Sequence, residues 1–299
     1  MPDFPENIQQ FLSPETDRLL FLQQRLLSYG VDSSVICLEG HKHLFVNFPP
    51  EAFNPQYKIN VIAVHYDRVE NSPGANDNSL ACLVAADFAK EILERAKKGI
   101  FSNIRIFFTD GEEKGKNGVF EQGSYTLAQK FKNWSFDKNN VFVFDSCGRG
   151  NVAVLAKNTM PVSFTSRNSI FVRDFSALYT RASNILSEIS PSKYMILPVP
   201  YSDNAGFLAS GIPAVQITFL PENEVSFYLK NLMNDKNLEK AVMNRQIEKN
   251  EDFRFKYLEK MPVTWRLFHT PYDNLLSLTK ESATLLKKIF RRLLVPVYN

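Results

Sequence analysis

The stretch that decides the fold runs from Ile59 to Asp67, INVIAVHYD. Its first part, Ile59–His65, is an almost continuous apolar run with no polar face. A strand of that kind is buried on both sides, as in parallel sheets covered by helices. The pattern recurs downstream. Ile104–Thr109, Val141–Asp145, Val152–Ala156 and Gly211–Phe219 read as further apolar strands. Asn78–Lys98, Gly123–Phe131, Val172–Ile189 and Lys280–Leu294 carry helical periodicity. Strands alternating with amphipathic helices predict an α/β fold: three αβα layers around a central, mostly parallel (mixed) sheet.

Upstream of this core, Ser13-Pro14 opens an amphipathic stretch through Leu27, and Gly30 follows. A Ser cap, an early Pro and a closing Gly punctuate a helix. Ser34–Leu38 and Leu44–Phe48 flank the turn Glu39-Gly40-His41-Lys42 and predict a hairpin. The chain has no internal repeat and no low-complexity linker, so residues 1–299 read as a single domain. One compositional shift, Asn234–Lys260, is rich in Lys, Glu and Asn and reads as a charged insertion within that domain.

Of the 299 residues, 44% are hydrophobic and 22% charged, which fits a globular chain and excludes wholesale disorder. A net charge of +3 is too small to imply a nucleic-acid partner. No apolar run approaches the ~20 residues of a membrane span, so no membrane association is expected. The first residues, MPDFPENIQQFLSPETDRLL, lack the basic and apolar regions of a secretory signal. Cys37, Cys82 and Cys147 form no CxxC pair and read as reduced, buried thiols. Together these features point to a cytoplasmic protein.

Ligands of open α/β sheets bind beyond the carboxyl ends of the strands. The strand Ile59–His65 runs into His65-Tyr66-Asp67, and its loop continues as Gly74-Ala75-Asn76-Asp77-Asn78. Ile104–Thr109 runs into Asp110-Gly111-Glu112-Glu113, and Val141–Asp145 into Ser146-Cys147-Gly148. Phe268-His269-Thr270-Pro271-Tyr272-Asp273-Asn274 comes late in the chain. Imidazoles and carboxylates delivered to one sheet edge form a ligand set suited to catalytic zinc or a related divalent ion. His41 and His43, in the hairpin, read as structural or solvated.

These motifs — HxD, GANDN, DGEE, a strand-end Asp before Ser, SDN…GIPA and HTPYD — resemble those of the di-zinc aminopeptidase family. That family includes bacterial leucyl aminopeptidases, glutamate carboxypeptidases and glutaminyl cyclases. The resemblance covers Ile59–Gly148, Ser202–Phe219 and Phe268–Asn274. It implies a zinc-exopeptidase-like fold and two zinc ions. His65 and Asp145 would hold one ion, Glu113 and His269 the other, with Asp77 bridging both. It further implies Glu112 as general base, Asp67 as the carboxylate that orients His65, and a cis peptide after Asp77.

The chemistry of such a site agrees with these roles. Two-metal sites clamp the attacking and leaving groups of a displacement and make hydroxide available near neutral pH. A carboxylate beside the water can carry its proton to the leaving amine. The implied activity is hydrolysis of N-terminal residues from small peptides. Tyr201 and Phe268, each next to a motif, are candidates for the apolar wall of the substrate pocket. The insertion Asn234–Lys260, upstream of His269, is a candidate lid.

The chain also departs from the family pattern. The common SDH reads Ser202-Asp203-Asn204, and the segment between Glu113 and Gly123-Ser124 is lengthened, as in glutaminyl cyclases. A glutaminyl-cyclase-like aminoacyltransferase, with a single zinc on Asp77, Glu113 and His269, is therefore one alternative. A catalytically inactive metal-binding protein is another, although every ligand position and the base are filled.

Overall fold

The computed structural model describes residues 4–113, 118–136, 138–157, 170–190, 192–243 and 256–298. Its centre is β3 (Asn60–His65), flanked on either side by β4 (Ile104–Thr109) and β5 (Asn140–Phe144), both parallel to it. Next to β5 lies β8 (Ala214–Leu220), also parallel. Beyond it, β6 (Val152–Ala156) runs antiparallel to β8, and β7 (Tyr194–Leu197) closes that edge. On the other side, β2 (His41–Asn47) pairs antiparallel with β4, and β1 (Asp32–Leu38) forms the outer edge. The result is an eight-stranded mixed sheet.

Every residue of β3, β5 and β8 is buried, which explains their unbroken apolar character. Alternate residues feed different cores, because side chains on a strand point to opposite faces. Ile62, Val64, Phe142 and Phe144 pack in one cluster with α3 (Leu80–Lys97) and α9 (Lys280–Leu293). Val61, Ala63, Val141 and Val143 pack in another with α4 (Gly123–Asn133) and Phe207 of α6 (Asn204–Ala209). Phe131 is fully buried and meets Phe107, Phe136 and Phe207. Truncating such a ring to Ala typically costs ~3–5 kcal/mol.

The expected strands, helices and hairpin all form, with ends shifted by a few residues. Three readings need correction. The first helix starts later than expected: α2 spans Arg18–Ser28, and a separate short helix, α1 (Ile8–Leu12), precedes Ser13. Ser13 lies at the end of α1, and the Asp17 side chain caps α2 by accepting from the Leu20 amide at 3.0 Å. Cys82 and Cys147 are buried free thiols, but Cys37 is exposed on the edge strand β1.

The third correction concerns the charged segment. α7 (Glu222–Asn234) precedes it, and α8 (Lys236–Met243) lies within it. Leu238, Ala241 and Val242 of α8 are buried with Val152, Val154 and Leu197 against the β6–β7 edge. That part of the segment belongs to a core and is no lid; residues 244–255 lie outside the described residues. Helix α5 (Ile170–Ile189) is as expected. None of the helices among the described residues is long and apolar enough to cross a membrane.

Candidate active site

The carboxyl ends of β3, β4 and β5 deliver their residues to one place. His65, the last residue of β3, is buried, and its Nε2 lies 3.1 Å from Asp77 Oδ1 and 3.4 Å from Asp145 Oδ1. His269 Nε2 lies 2.9 Å from Glu113 Oε2 and 3.6 Å from Asp77 Oδ2. The Asp77 carboxylate thus faces one imidazole with each oxygen. His65, Asp77 and Asp145 form one group able to hold a cation, and Asp77, Glu113 and His269 form a second. Glu112 forms a third with His65 and Glu113, so it sits beside both.

Local backbone geometry explains how these side chains converge. Asp77 lies in the Gly74–Ser79 turn that leads into α3, and the Asp77-Asn78 peptide is cis. Gly74 takes φ 60°, and a Cβ there would meet the Asp77 carbonyl oxygen at 2.6 Å, so only glycine fits. The Asn78 side chain donates to the Phe144 carbonyl at 2.7 Å, tying the turn to β5. Asn76 Oδ1 accepts from the Gly148 amide at 2.7 Å. Ser146 (φ 56°) and His269 (φ 60°) take the left-handed region that few non-glycine residues adopt.

Asp67 places the acidic pair. Its oxygens accept from the Glu112 amide at 3.3 Å and the Glu113 amide at 3.1 Å, and Oδ1 stands 3.6 Å from His65 Nδ1. Burial would raise its pKa, but His65 and those two amides outweigh it and hold the group below the usual carboxylate range. Gln122 donates to Glu112 Oε1 at 3.1 Å. Gly123, next to Gln122, packs directly on the Asp110 carbonyl, where a Cβ would come to 1.9 Å.

The electrostatics are those of crowded buried acids. Burial and the neighbouring Asp77 push Glu113 up to about 7, against the pull of His269. Burial works against a charged His269, but Glu113, Asp77 and Glu112 raise it to about 9. His65 is likewise raised well above its ordinary value, as Asp145, Asp67 and Asp77 overcome burial. Carboxylates at this density demand positive charge, and all-oxygen-and-imidazole donors suit divalent ions such as zinc. The residue set therefore fits the metal that the motifs imply.

Sequence reasoning overlooked several contributors. Asp273 accepts from the Asn76 amide at 2.8 Å and the Asp77 amide at 3.1 Å, holding the Asp77 turn by its backbone. Burial, with Asp77 close by, pushes its carboxyl up to about 6. It was visible inside HTPYD, four residues after His269. Gln122 had no such signal. Asp203 is fully buried and bonded by the Thr109 hydroxyl, and burial lifts it to about 6. Asn204, which stands where His is common, is buried at the start of α6.

Of the remaining candidates, Tyr201 is half-buried just before Ser202. Phe268 packs against the β6–β7 cluster, with its ring 6.4 Å from that of His269. His41 and His43 belong to none of the cation-binding groups among the described residues. His43 is buried, and its Nδ1 accepts from the Asp110 amide at 3.2 Å, a structural role. Burial lowers its pKa to about 4.

An αβα sandwich with an imidazole–carboxylate cluster at the carboxyl edge of its sheet has the build of a zinc exopeptidase. The family model of peptidase family M28 matches residues 49–294, and the chain belongs to that family. The LapA aminopeptidase of Legionella pneumophila is similar in structure. It shows a TM-score of 0.58 at 16% identity, over 97% of this chain and 70% of that one. A glutaminyl cyclase of Porphyromonas gingivalis gives 0.56 at 17% identity, over 98% and 91%. BSAP, a zinc aminopeptidase from Bacillus subtilis, gives 0.51 at 17%, over 84% of this chain and 48% of that one. No match was found among curated protein sequences.

Proposed function

We propose that this M28 peptidase is a two-zinc aminopeptidase that removes uncharged, apolar N-terminal residues from short peptides. The observation that carries this reading is the Asp77 carboxylate, with Oδ1 3.1 Å from His65 Nε2 and Oδ2 3.6 Å from His269 Nε2. His65, Asp77 and Asp145 would hold one ion, and Asp77, Glu113 and His269 the other. Bound there, divalent ions supply Lewis acidity toward a scissile carbonyl and toward water.

The chain's own residues supply the rest. Glu112 takes the proton of the attacking water and returns it to the leaving amine. Gln122 holds one oxygen of Glu112 and so limits the carboxylate's swing. Asp67 fixes the backbone of Glu112 and Glu113 together and faces His65. The acidic floor attracts the ammonium of a free N-terminus. Tyr201 and Phe268 form the apolar wall beside it.

A second reading is favoured by one observation, the near-equal length of this chain and the P. gingivalis glutaminyl cyclase. Glutaminyl cyclisation would need a single zinc on Asp77, Glu113 and His269. A peptide library read by mass spectrometry separates the two. Release of free N-terminal residues from unblocked peptides, with N-acetylated copies left intact, is the expected result. Equal cleavage of acetylated peptides would overturn the aminopeptidase reading. Conversion of N-terminal glutamine to a pyroglutamyl end, without release, would establish the cyclase.

A further inference from the structure

Helix α2 precedes the residues matched by the family model, yet one of its side chains penetrates the site's scaffold. Arg18 is 6% exposed and lies behind the turn that carries Asp77. Its Nη1 donates to the Tyr66 carbonyl at 3.0 Å; its Nη2 donates to the Pro73 carbonyl at 2.7 Å and to Ser79 Oγ at 2.6 Å. Phe11 of α1 covers the guanidinium, 4.8 Å from the ring centroid. Arg68 adds a second strap, donating to the Leu12 and Ser13 carbonyls at 2.9 Å each.

These contacts bracket the bridging segment. Tyr66 lies between His65 and Asp67, Pro73 precedes the glycine of the turn, and Ser79 follows Asn78. A planar guanidinium spreads its donors over separate nitrogens in a rigid fork and so reaches three such points at once, whereas a lysine ammonium gathers its donors on one freely rotating atom. Gly74 leaves room for it, since a Cβ there would press on Arg18 Nη2 at 3.4 Å. No carboxylate of the described residues pairs directly with Arg18. Burial, with Arg68 nearby, lowers its pKa to about 10, while Asp67 and Asp77 pull the other way.

We infer that Arg18 is a positioning residue for the metal centre: it clamps the Tyr66–Ser79 loop so that Asp77 is presented between His65 and His269. This rests on the metal-binding reading above. Arg25 offers an internal control. It lies two turns further along the same helix, is 8% exposed, and pairs with Asp87 of α3 at 2.6 Å and with the Glu6 carbonyl at 3.0 Å. It is equally buried but holds helix to helix, away from the turn.

The test compares Arg18→Met, Arg18→Lys and Arg25→Met in the full chain. Zinc affinity is measured by chelator competition on protein verified as folded by circular dichroism. Amide hydrogen exchange of the zinc-free proteins is followed at Ala75–Ser79. Arg18→Met should weaken zinc binding about tenfold or more, the range seen when groups supporting metal ligands are removed. It should also speed exchange at Ala75–Ser79, with kcat falling more than KM rises. Arg18→Lys, which keeps the charge but not the fork, should fall between Arg18→Met and wild type. Arg25→Met should lower thermal stability while leaving zinc affinity and turn exchange unchanged.

Wild-type zinc affinity and wild-type turn exchange in a folded Arg18→Met protein would overturn the clamp. So would equal losses in Arg18→Met and Arg25→Met. Should Arg18→Met fail to fold, Arg18→Lys decides by the same two readouts. If the wild-type protein takes up no zinc, the metal reading fails, and the exchange comparison alone decides the clamp.

Discussion

At its amino end β3 begins with Asn60, and at its carboxyl end it finishes with His65. The amino end is a closed neutral network. Asn60 Nδ2 donates to the Leu293 carbonyl at 2.8 Å, and Asn140 Nδ2 donates to Asn60 Oδ1 at 3.1 Å. Nearby, Asn103 Nδ2 serves the carbonyls of Asn54 and Tyr57, both at 2.8 Å. Each of these side-chain amide donors meets an acceptor. The carboxyl end gathers acids and imidazoles whose mutual distances leave room for cations. The same strand therefore carries a neutral end and a charged end, roughly 17 Å apart at ~3.3 Å for each of five steps. Sheet hydrogen bonding and the apolar faces between them isolate one from the other.

That separation can be broken experimentally, and the largest effect should fall on Glu112. Glu112→Ala should cut turnover by roughly a hundredfold or more while zinc content stays near wild type. Elemental analysis beside steady-state rates checks this, and loss of metal in step with activity would make Glu112 a ligand. Asp67→Ala should lower zinc affinity by about 10- to 100-fold, because the Glu112–Glu113 turn and His65 lose their anchor. Chelator competition measures it.

At the opposite end, Asn60→Ala should cost about 1–3 kcal/mol of stability, since it strands the Asn140 amide and the Leu293 carbonyl. Urea denaturation reads that loss, and kcat at saturating zinc should not change. The smallest effect is in the pH profile of the zinc-free protein. His65 and His269 have folded pKa values above the unfolded value, His269 at about 9. Their contribution is complete below about pH 6.5 and fades as pH rises toward 9. Glu113, lifted to about 7, has the same sign at lower pH. Thermal midpoints in chelator should therefore fall across that window. Zinc-loaded protein should show a flatter profile, because the metal takes the place of the protons.

The sequence revealed the charged end more fully than its supports. His65, Glu112, Glu113 and Asp145 each follow an apolar run, so the parallel direction of those strands brings them toward one edge. Asp77 and His269 came from motif resemblance, and the structure sets them beside the strand-end residues. Arg18, Arg68 and Asp17 escaped notice because their partners are mostly main-chain groups, which no residue type announces. α6 and β7 span only Asn204–Ala209 and Tyr194–Leu197, too short to show a period. In α7 the buried Val225 and Tyr228 are interleaved with exposed Phe227 and Met233, which blurs the apolar stripe. Cys37 shows the limit of composition: a thiol on an edge strand looks like a core thiol until the neighbouring strand is known to be absent.

The β1–β2 hairpin has a consequence for how the molecule opens. Seven residue pairs join β1 to β2, whereas only Leu44↔Phe108 and Phe45↔Phe107 join β2 to the rest of the sheet. Lys42 donates its amide to Asp110 Oδ2 at 2.9 Å, and His43 receives the Asp110 amide. The backbone joint to β4 is short, and the hairpin is held mainly by side chains, with Leu44 and Val46 buried in the main core, so its release is a subglobal opening that must expose those two residues. Its departure would uncover the Asp110–Glu113 turn. Native-state exchange under mild denaturant should find the β2–β4 amides opening before those shared by β3 and β5, so the turn that carries Glu112 would lose its backing while the core of the sheet still stands.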